Sequence, residues 1–220
     1  LRTILSSGPT TLVSLMHANN EIGVIQPLEE ISNICKEAGA YFHSDTVQTM
    51  GHYPFSLDLL DIDFLTCSAH KFHGPKGTGF LYTHPKNKIK SQIVGGGQER
   101  GLRSGTENLH GIVGLATAIN LAYDHLEEHE TYVRAIKKRM VDGLLERIPG
   151  VTFNAGSDCV SRLYTVLNVK FPPHPNSGMA LFLLDLEGIS CSGGSACSSG
   201  ATKGSHVLNS LGYHDPERAS

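Results

Sequence analysis

No run of apolar residues in this chain approaches the roughly 20 needed to cross a bilayer. Nor does an excess of basic residues mark a surface for nucleic acid or anionic lipid. Eighteen Lys and Arg stand against 21 Asp and Glu, a formal charge of −3 with His neutral. A paired cysteine framework is also missing: there are five, Cys35, Cys67, Cys159, Cys191 and Cys197, an odd number at irregular intervals. The expectation is a cytoplasmic protein with reduced thiols and with neither membrane nor nucleic acid among its partners. No internal repeat is present, and the phosphate-loop pattern G-x-x-x-x-G-K-[ST] is not met, because Lys76 is followed by Gly77. The sequence opens at Leu1 without a methionine and stops at "HDPERAS", and is expected to be a piece of a longer protein.

What is present is enough for a substantial core: 220 residues, 40% of them hydrophobic, make one large domain or two small ones. The segment "TLVSLMHANN" (11–20) reads as a strand. Pro27 then opens a helix in which Leu28, Ile31, Ile34 and Ala38 fall at helical spacing, with Gly39 as its stop. "AYFHSD" (40–45), "DFLTCS" (63–68) and "GTGFLYT" (77–83) read as short strands, and a helix is predicted from about Leu109 to Leu126. That alternation argues for a mainly parallel α/β sheet, whose ligands bind beyond the carboxyl ends of the strands. From residue 119 onward a smaller α+β domain is expected. Its helix carries Val133, Ile136, Met140, Leu144 and Ile148 on one face. A strand at 162–171, a helix near 178–188, a short strand "ISC" (189–191), the small-residue loop 192–205 and a last helix "HVLNSLG" follow. The expected domains are 1–118 and 119–220.

In "SAHKFHGPKG" (68–77) a lysine follows a strand end, within a loop whose glycines let a backbone approach a bound group. With the phosphate loop ruled out, Lys71 reads as a Schiff-base nucleophile. Asp45 ends the strand expected beside it, and a pyridoxal phosphate site needs both a lysine at the aldehyde and a carboxylate facing the pyridine nitrogen. Taken alone, Asp45 reads equally well as a cap or turn former.

Five motifs, "MHANNEIG" (16–23), "HSDTVQ" (43–48), "SAHKFHGPKG" (68–77), "GGGQERGLRSGTEN" (95–108) and "GGSACSS" (193–199), resemble in order and spacing those of the cysteine desulfurases. These belong to the class V aminotransferase-like group of pyridoxal phosphate enzymes, which also contains selenocysteine lyase. The resemblance implies a fold-type I architecture: a partial, mainly parallel cofactor-binding domain and a smaller α+β C-terminal domain. It implies pyridoxal 5'-phosphate as cofactor, Lys71 as the lysine bonded to it and Asp45 as the carboxylate at the pyridinium nitrogen. Asn20 and Gln48 match contacts to the ring oxygen, and Ser68 and His70 match phosphate contacts. Thr106 matches a residue reaching the phosphate held by the neighbouring subunit, hence a homodimer. Cys197, in "SAC", matches the nucleophile that takes sulfur from L-cysteine as a persulfide and leaves L-alanine. Its neighbours are all small, a composition that predicts an exposed, mobile loop. A loop of this length resembles the form that supplies sulfur for iron–sulfur cluster assembly or thiolation, with a scaffold protein or other sulfur acceptor as partner.

Plainer readings stand beside these. Asn20 and Gln48 could be turn or surface amides, and Thr106 the N-cap of the helix starting at Leu109. His43 and His73 could simply pack, and Arg100 and Arg103 could fix their own loop by salt bridges. Cys191 competes with Cys197, whereas Cys35, Cys67 and Cys159 look structural. By the resemblance, the histidine that stacks on the ring and the arginine that grips the substrate carboxylate lie outside the sequence. The functional alternatives are a selenocysteine lyase, an inactive sulfur-relay fragment, and a metal-binding fragment in which Cys67, His70, His73 and His43 are ligands.

Overall fold

The computed structural model describes residues 1–9, 12–194 and 205–213. Its packing divides the chain into two compact units: Leu1–His17 with Gln26–Glu127, and Ala18–Ile25 with Glu128–Ser220.

The first unit opens with a short helix, α1 (Arg2–Ser6), and strand β1 (Leu12–Met16). Helix α2 (Leu28–Glu37) follows, with Pro27 at its N-cap, Glu29 and Glu30 in the first turn where the helix dipole favours acid, and a stop at Gly39. It buries Leu28, Ile31, Ile34 and Cys35, the stripe its spacing predicts. Strands β2 (Tyr41–Asp45), β3 (Phe64–Ser68) and β4 (Gly79–Thr83) complete a sheet of order β1-β2-β3-β4. The first two pairings are parallel and the last is antiparallel. Helix α3 (Leu109–Asp124) starts at Asn108, whose side chain accepts from the Gly111 N–H at 3.1 Å. The helix cap is therefore Asn108 and not Thr106.

Alternation sorts the sheet into two faces. Val13, Phe42, Leu65 and Cys67 are buried with α2 residues Leu28, Ile31 and Cys35 in one cluster that also holds Phe72 and Ala122. The other face carries His43, Asp45, Thr66 and Ser68 in register, together with the exposed side chains of Leu12, Tyr41 and Leu81.

Asp63, only 5% exposed, locks the sheet just before β3. Its Oδ2 accepts from the Phe42 N–H at 2.8 Å and its Oδ1 from Asn87 Nδ2 at 2.9 Å, with Lys86 Nζ 3.5 Å away. Asp63→Ala leaves the Phe42 N–H and Asn87 Nδ2 without this acceptor, while the half-exposed Lys86 keeps Asp61 at 3.3 Å. We expect a loss of about 1–3 kcal/mol in the unfolding free energy of the full-length protein, with Asp63→Asn recovering part of it. A thermal midpoint unchanged by the alanine variant would refute this.

The second unit holds most of helix α4 (Leu126–Arg147), with strands β5 (Thr152–Phe153) and β6 (Val169–Lys170) paired antiparallel, and helices α5 (Ala180–Leu186) and α6 (His206–Ser210). The boundary expected at 118/119 lies inside α3, and the packing units part at Glu127 and Glu128. The long strand expected over 162–171 is cut to Val169–Lys170. Lys137 Nζ draws in the carbonyls of Leu163 and Val166, at 3.1 and 2.8 Å, and the Leu163 N–H goes to the Gly23 carbonyl at 2.8 Å. Those groups are lost to a ladder. "ISC" forms no strand either: the Ile189 N–H closes the end of α5 on the Leu184 carbonyl at 2.8 Å.

A buried polar web replaces the missing sheet. Asn168 Oδ1 accepts from Asn154 Nδ2 at 2.8 Å, its backbone N–H and carbonyl both bond Ser157 Oγ, and its Nδ2 donates to the Glu21 carbonyl at 3.1 Å across 147 residues of sequence. Segment Ala18–Ile25 is thereby built into the second unit, although both its flanks belong to the first.

Candidate active site

Asp45 ends β2 and pairs in register with Thr66 of β3, two residues before Ser68. The carboxylate and the lysine turn thus leave the carboxyl ends of neighbouring parallel strands, the place where open α/β sheets bind ligands. Beyond Ser68 the chain makes one 3₁₀ turn, Ala69–Phe72, rather than an open loop. Its anchors are Ala69 and Phe72, 0% and 2% exposed. His73 closes it at φ 66°, an uncommon conformation for a side-chain-bearing residue, and the Gly74 N–H returns to the Ala69 carbonyl at 2.8 Å. Gly51, at φ 77°, is required here, because a Cβ would sit 2.9 Å from Phe72 Cβ. His52 Nε2 meets the Lys71 carbonyl at 3.2 Å. The backbone of Lys71 is therefore pinned from both sides, while among the described residues no hydrogen bond or ion pair holds its ammonium.

The turn after Asp45 is held by residues to which the sequence reading gave no role. The His17 N–H donates to the Asp45 carbonyl at 2.8 Å, and His17 Nδ1 meets Thr49 Oγ1 at 2.8 Å. Thr46 sends both its N–H and its hydroxyl to the Thr66 carbonyl, at 3.0 and 2.8 Å. Thr46 and Thr49 are fully buried, and Gln48 lies half-buried between them. Asp45 Oδ1 accepts from the Val47 N–H at 2.9 Å, the local turn bond its residue type suggested. In the sequence, His17 stands in "MHANNEIG" directly after a strand, and that position is its one signal.

Burial lowers the pKa of His17 from 6.5 to about 4, and its ring stands edge-on to Phe55 with centroids 5.4 Å apart. Below pH about 6.5 an unfolded chain binds a proton there that the folded ring refuses until about pH 4. Stability is therefore complete above 6.5 and falls as the pH drops towards 4. The loss is at most about 3 kcal/mol, and smaller because solvent screens a ring that is only partly buried. His17→Gln should flatten the thermal midpoint between pH 4 and 6.5, and an unchanged slope would remove His17 from the account.

Ser68 Oγ and His70 Nδ1 form a pair at 2.8 Å beside Lys71, and His43 bridges Ser14 Oγ (2.7 Å) and Thr66 Oγ1 (3.3 Å) on the same open face. Cys67 points the other way, into the core, where burial pushes its thiol up to about 11. Among the described residues no three of His, Cys, Asp and Glu converge on a metal-sized site, so Cys67, His70, His73 and His43 do not form the alternative ligand set. Thr106 is exposed in the stretch ahead of α3. Asn20 lies in the second unit, exposed within Ala18–Ile25. Cys197 lies outside the described residues. The structure thus gathers Asp45, Gln48, Ser68, His70 and Lys71 within one unit.

The family model for class-V aminotransferases matches residues 2–218. The chain belongs to the class-V aminotransferase family. Among curated relatives it is 48% identical over 204 residues to a protein of Clostridium botulinum named cysteine desulfurase IscS, covering 92% of this chain and 51% of that one. A protein of the same name from Dictyoglomus turgidum is 44% identical over 202 residues, 92% of this chain and 50% of its own. The X-ray structure of a NifS-like protein from Rickettsia africae superposes with a TM-score of 0.85 at 33% identity, covering all of this chain and 57% of that one. The chain spans about half the length of the curated relatives it matches. Enzymes of this family use pyridoxal phosphate, and the donor set fits the cofactor: an amine with no partner among the described residues, a hydroxyl–imidazole pair and a carboxylate stand at adjoining strand ends.

Proposed function

We propose that the protein carrying this chain is a cysteine desulfurase that turns L-cysteine into L-alanine and keeps the sulfur as a persulfide on Cys197. The observation that carries this reading is the placement of Asp45 and Lys71 at the carboxyl ends of two neighbouring parallel strands. Bound pyridoxal phosphate supplies an electron-withdrawing ring that acidifies the Cα–H of an attached amino acid. Lys71 would bond to the aldehyde and, once the substrate amine has displaced it, take the Cα proton as general base. Asp45 would hold a proton on the ring nitrogen, Asn20 and Gln48 would contact the ring oxygen, and Ser68, His70 and Thr106 would grip phosphate. Thr106 would do so towards a partner copy in a homodimer.

Cys197 as thiolate would take the substrate sulfur. An S–S bond forms as the substrate Cβ–S bond breaks and Cβ gains a proton, so one thiol and one cysteine become one persulfide and one alanine with no outside oxidant. The four described cysteines are all free, which suits a reducing cytoplasm, and an iron–sulfur scaffold or other thiol acceptor would receive the sulfur. The test is product analysis on the full-length, cofactor-loaded protein given L-cysteine and a thiol reductant. Equimolar alanine and sulfide are expected. No alanine from L-cysteine, with or without turnover of L-selenocysteine, would sink the desulfurase reading.

A further inference from the structure

Glu21 is a buried carboxylate, 5% exposed, that the chemistry above leaves without a task. It follows Asn20 directly, and its main chain is fixed in the second unit: its N–H donates to Asn19 Oδ1 at 2.9 Å, and its carbonyl accepts from Asn168 Nδ2 at 3.1 Å. Its side chain reaches 184 residues along the sequence to accept a hydrogen bond from the hydroxyl of Ser205. That same hydroxyl oxygen accepts from the Leu208 N–H at 3.1 Å and so caps α6. One oxygen thus donates to Glu21 and accepts from the helix, which leaves it no freedom to turn.

Gly194 arrives at the same point from the other side. It sits at φ 115°, and a Cβ there would lie 3.3 Å from Ser205 Cβ and 3.6 Å from Glu21 Oε2. Only glycine lets the backbone come this close in that conformation. Ser192 Oγ donates to the Gly194 carbonyl at 2.9 Å and steadies the approach. Gly194 and Ser205 flank residues 195–204, the stretch that contains Cys197.

We propose that Glu21 is a positioning residue for the sulfur-transfer step: it clasps the two ends of the cysteine-bearing segment together and ties them to the backbone that carries Asn20. The proposal rests on Cys197 being the sulfur acceptor. Closing a loop at its base lowers the entropy of bringing a reactive group to a set place, and a misplacement of the order of 1 Å can cost about a hundredfold in rate. A carboxylate suits the task because a charge-assisted hydrogen bond from Ser205 is stronger and more directional than a neutral one.

The test uses the full-length protein with Glu21→Gln, Ser205→Ala and Ser205→Thr. In the cofactor-free proteins, the alkylation rate of Cys197 by iodoacetamide is followed by peptide mass spectrometry, with exposed Cys159 as internal control. In the loaded proteins, kcat and KM for L-cysteine are measured. Glu21→Gln and Ser205→Ala should change Cys197 alkylation severalfold and leave Cys159 unaltered. They should lower kcat roughly ten- to a hundredfold with KM little moved. Ser205→Thr, which keeps the hydroxyl and the cap, should restore both. Should Glu21→Gln fail to fold, Ser205→Ala, which removes one hydroxyl, carries the test alone. Wild-type alkylation and kcat in Ser205→Ala would overturn the proposal. Altered alkylation with full rescue by threonine, in a wild-type protein that yields no sulfide, would uphold the clasp and overturn the desulfurase reading instead.

Discussion

Lys71→Ala in the full-length protein will lose L-cysteine turnover by at least about a thousandfold and will no longer hold the cofactor covalently. The size follows from the proposed roles: the variant lacks both the group that would bond the aldehyde and the base that would take the Cα proton, a step worth about 10²–10⁴ on its own. The loss is chemical rather than structural. What fixes residue 71 is its backbone, through His52 and the buried Ala69 and Phe72 on either side of it in the turn. Its ammonium holds no partner among the described residues. The unfolding free energy should therefore stay within about 0.5 kcal/mol of wild type. A thermal melt beside an absorbance spectrum separates the two: an unchanged melt with no cofactor-derived visible band is the expected pair. A variant that retains substantial turnover would remove Lys71 from the centre of the chemistry.

The second large effect falls on sulfur and leaves cofactor binding untouched. Cys197→Ser should cut sulfide production by at least about a thousandfold, because a serine hydroxyl supplies almost no anion near neutral pH and cannot hold a persulfide. The visible band and its response to L-cysteine should persist, since the proposed cofactor contacts Asp45, Ser68, His70 and Lys71 are left unchanged. Cys191→Ser and Cys159→Ser should leave the rate unchanged. If Cys191→Ser abolishes sulfide and Cys197→Ser does not, the acceptor is the other thiol on that side of the loop.

Much of the first unit was legible because its signals are local. Pro27 and Gly39 bracket α2, and short apolar strands alternate with turn residues, so the places of β1, β2 and β3 in the chain and the neighbouring strands of Asp45 and Lys71 could be drawn from pattern alone. The second unit was less legible because its decisive contacts are distant. The stretch 162–171 has strand composition, yet Lys137 on α4 draws two of its carbonyls away and Gly23 takes an amide. Nothing near Ala18–Ile25 indicates that Asn168 and Ser205 bind it into the far half of the chain. The web of His17, Thr46 and Thr49 was hidden for the same reason: threonine in a turn reads as a local cap, and burial is what makes it a strut.

In the proposed chemistry everything turns on Lys71 as the residue covalently bonded to pyridoxal phosphate. Treating the loaded full-length protein with borohydride makes that carbon–nitrogen bond permanent, and peptide mass spectrometry then locates it. A single phosphopyridoxyl adduct is expected, on the peptide containing "SAHKFHGPKG" and at Lys71 rather than Lys76. An adduct on another lysine, or none on any, would contradict it.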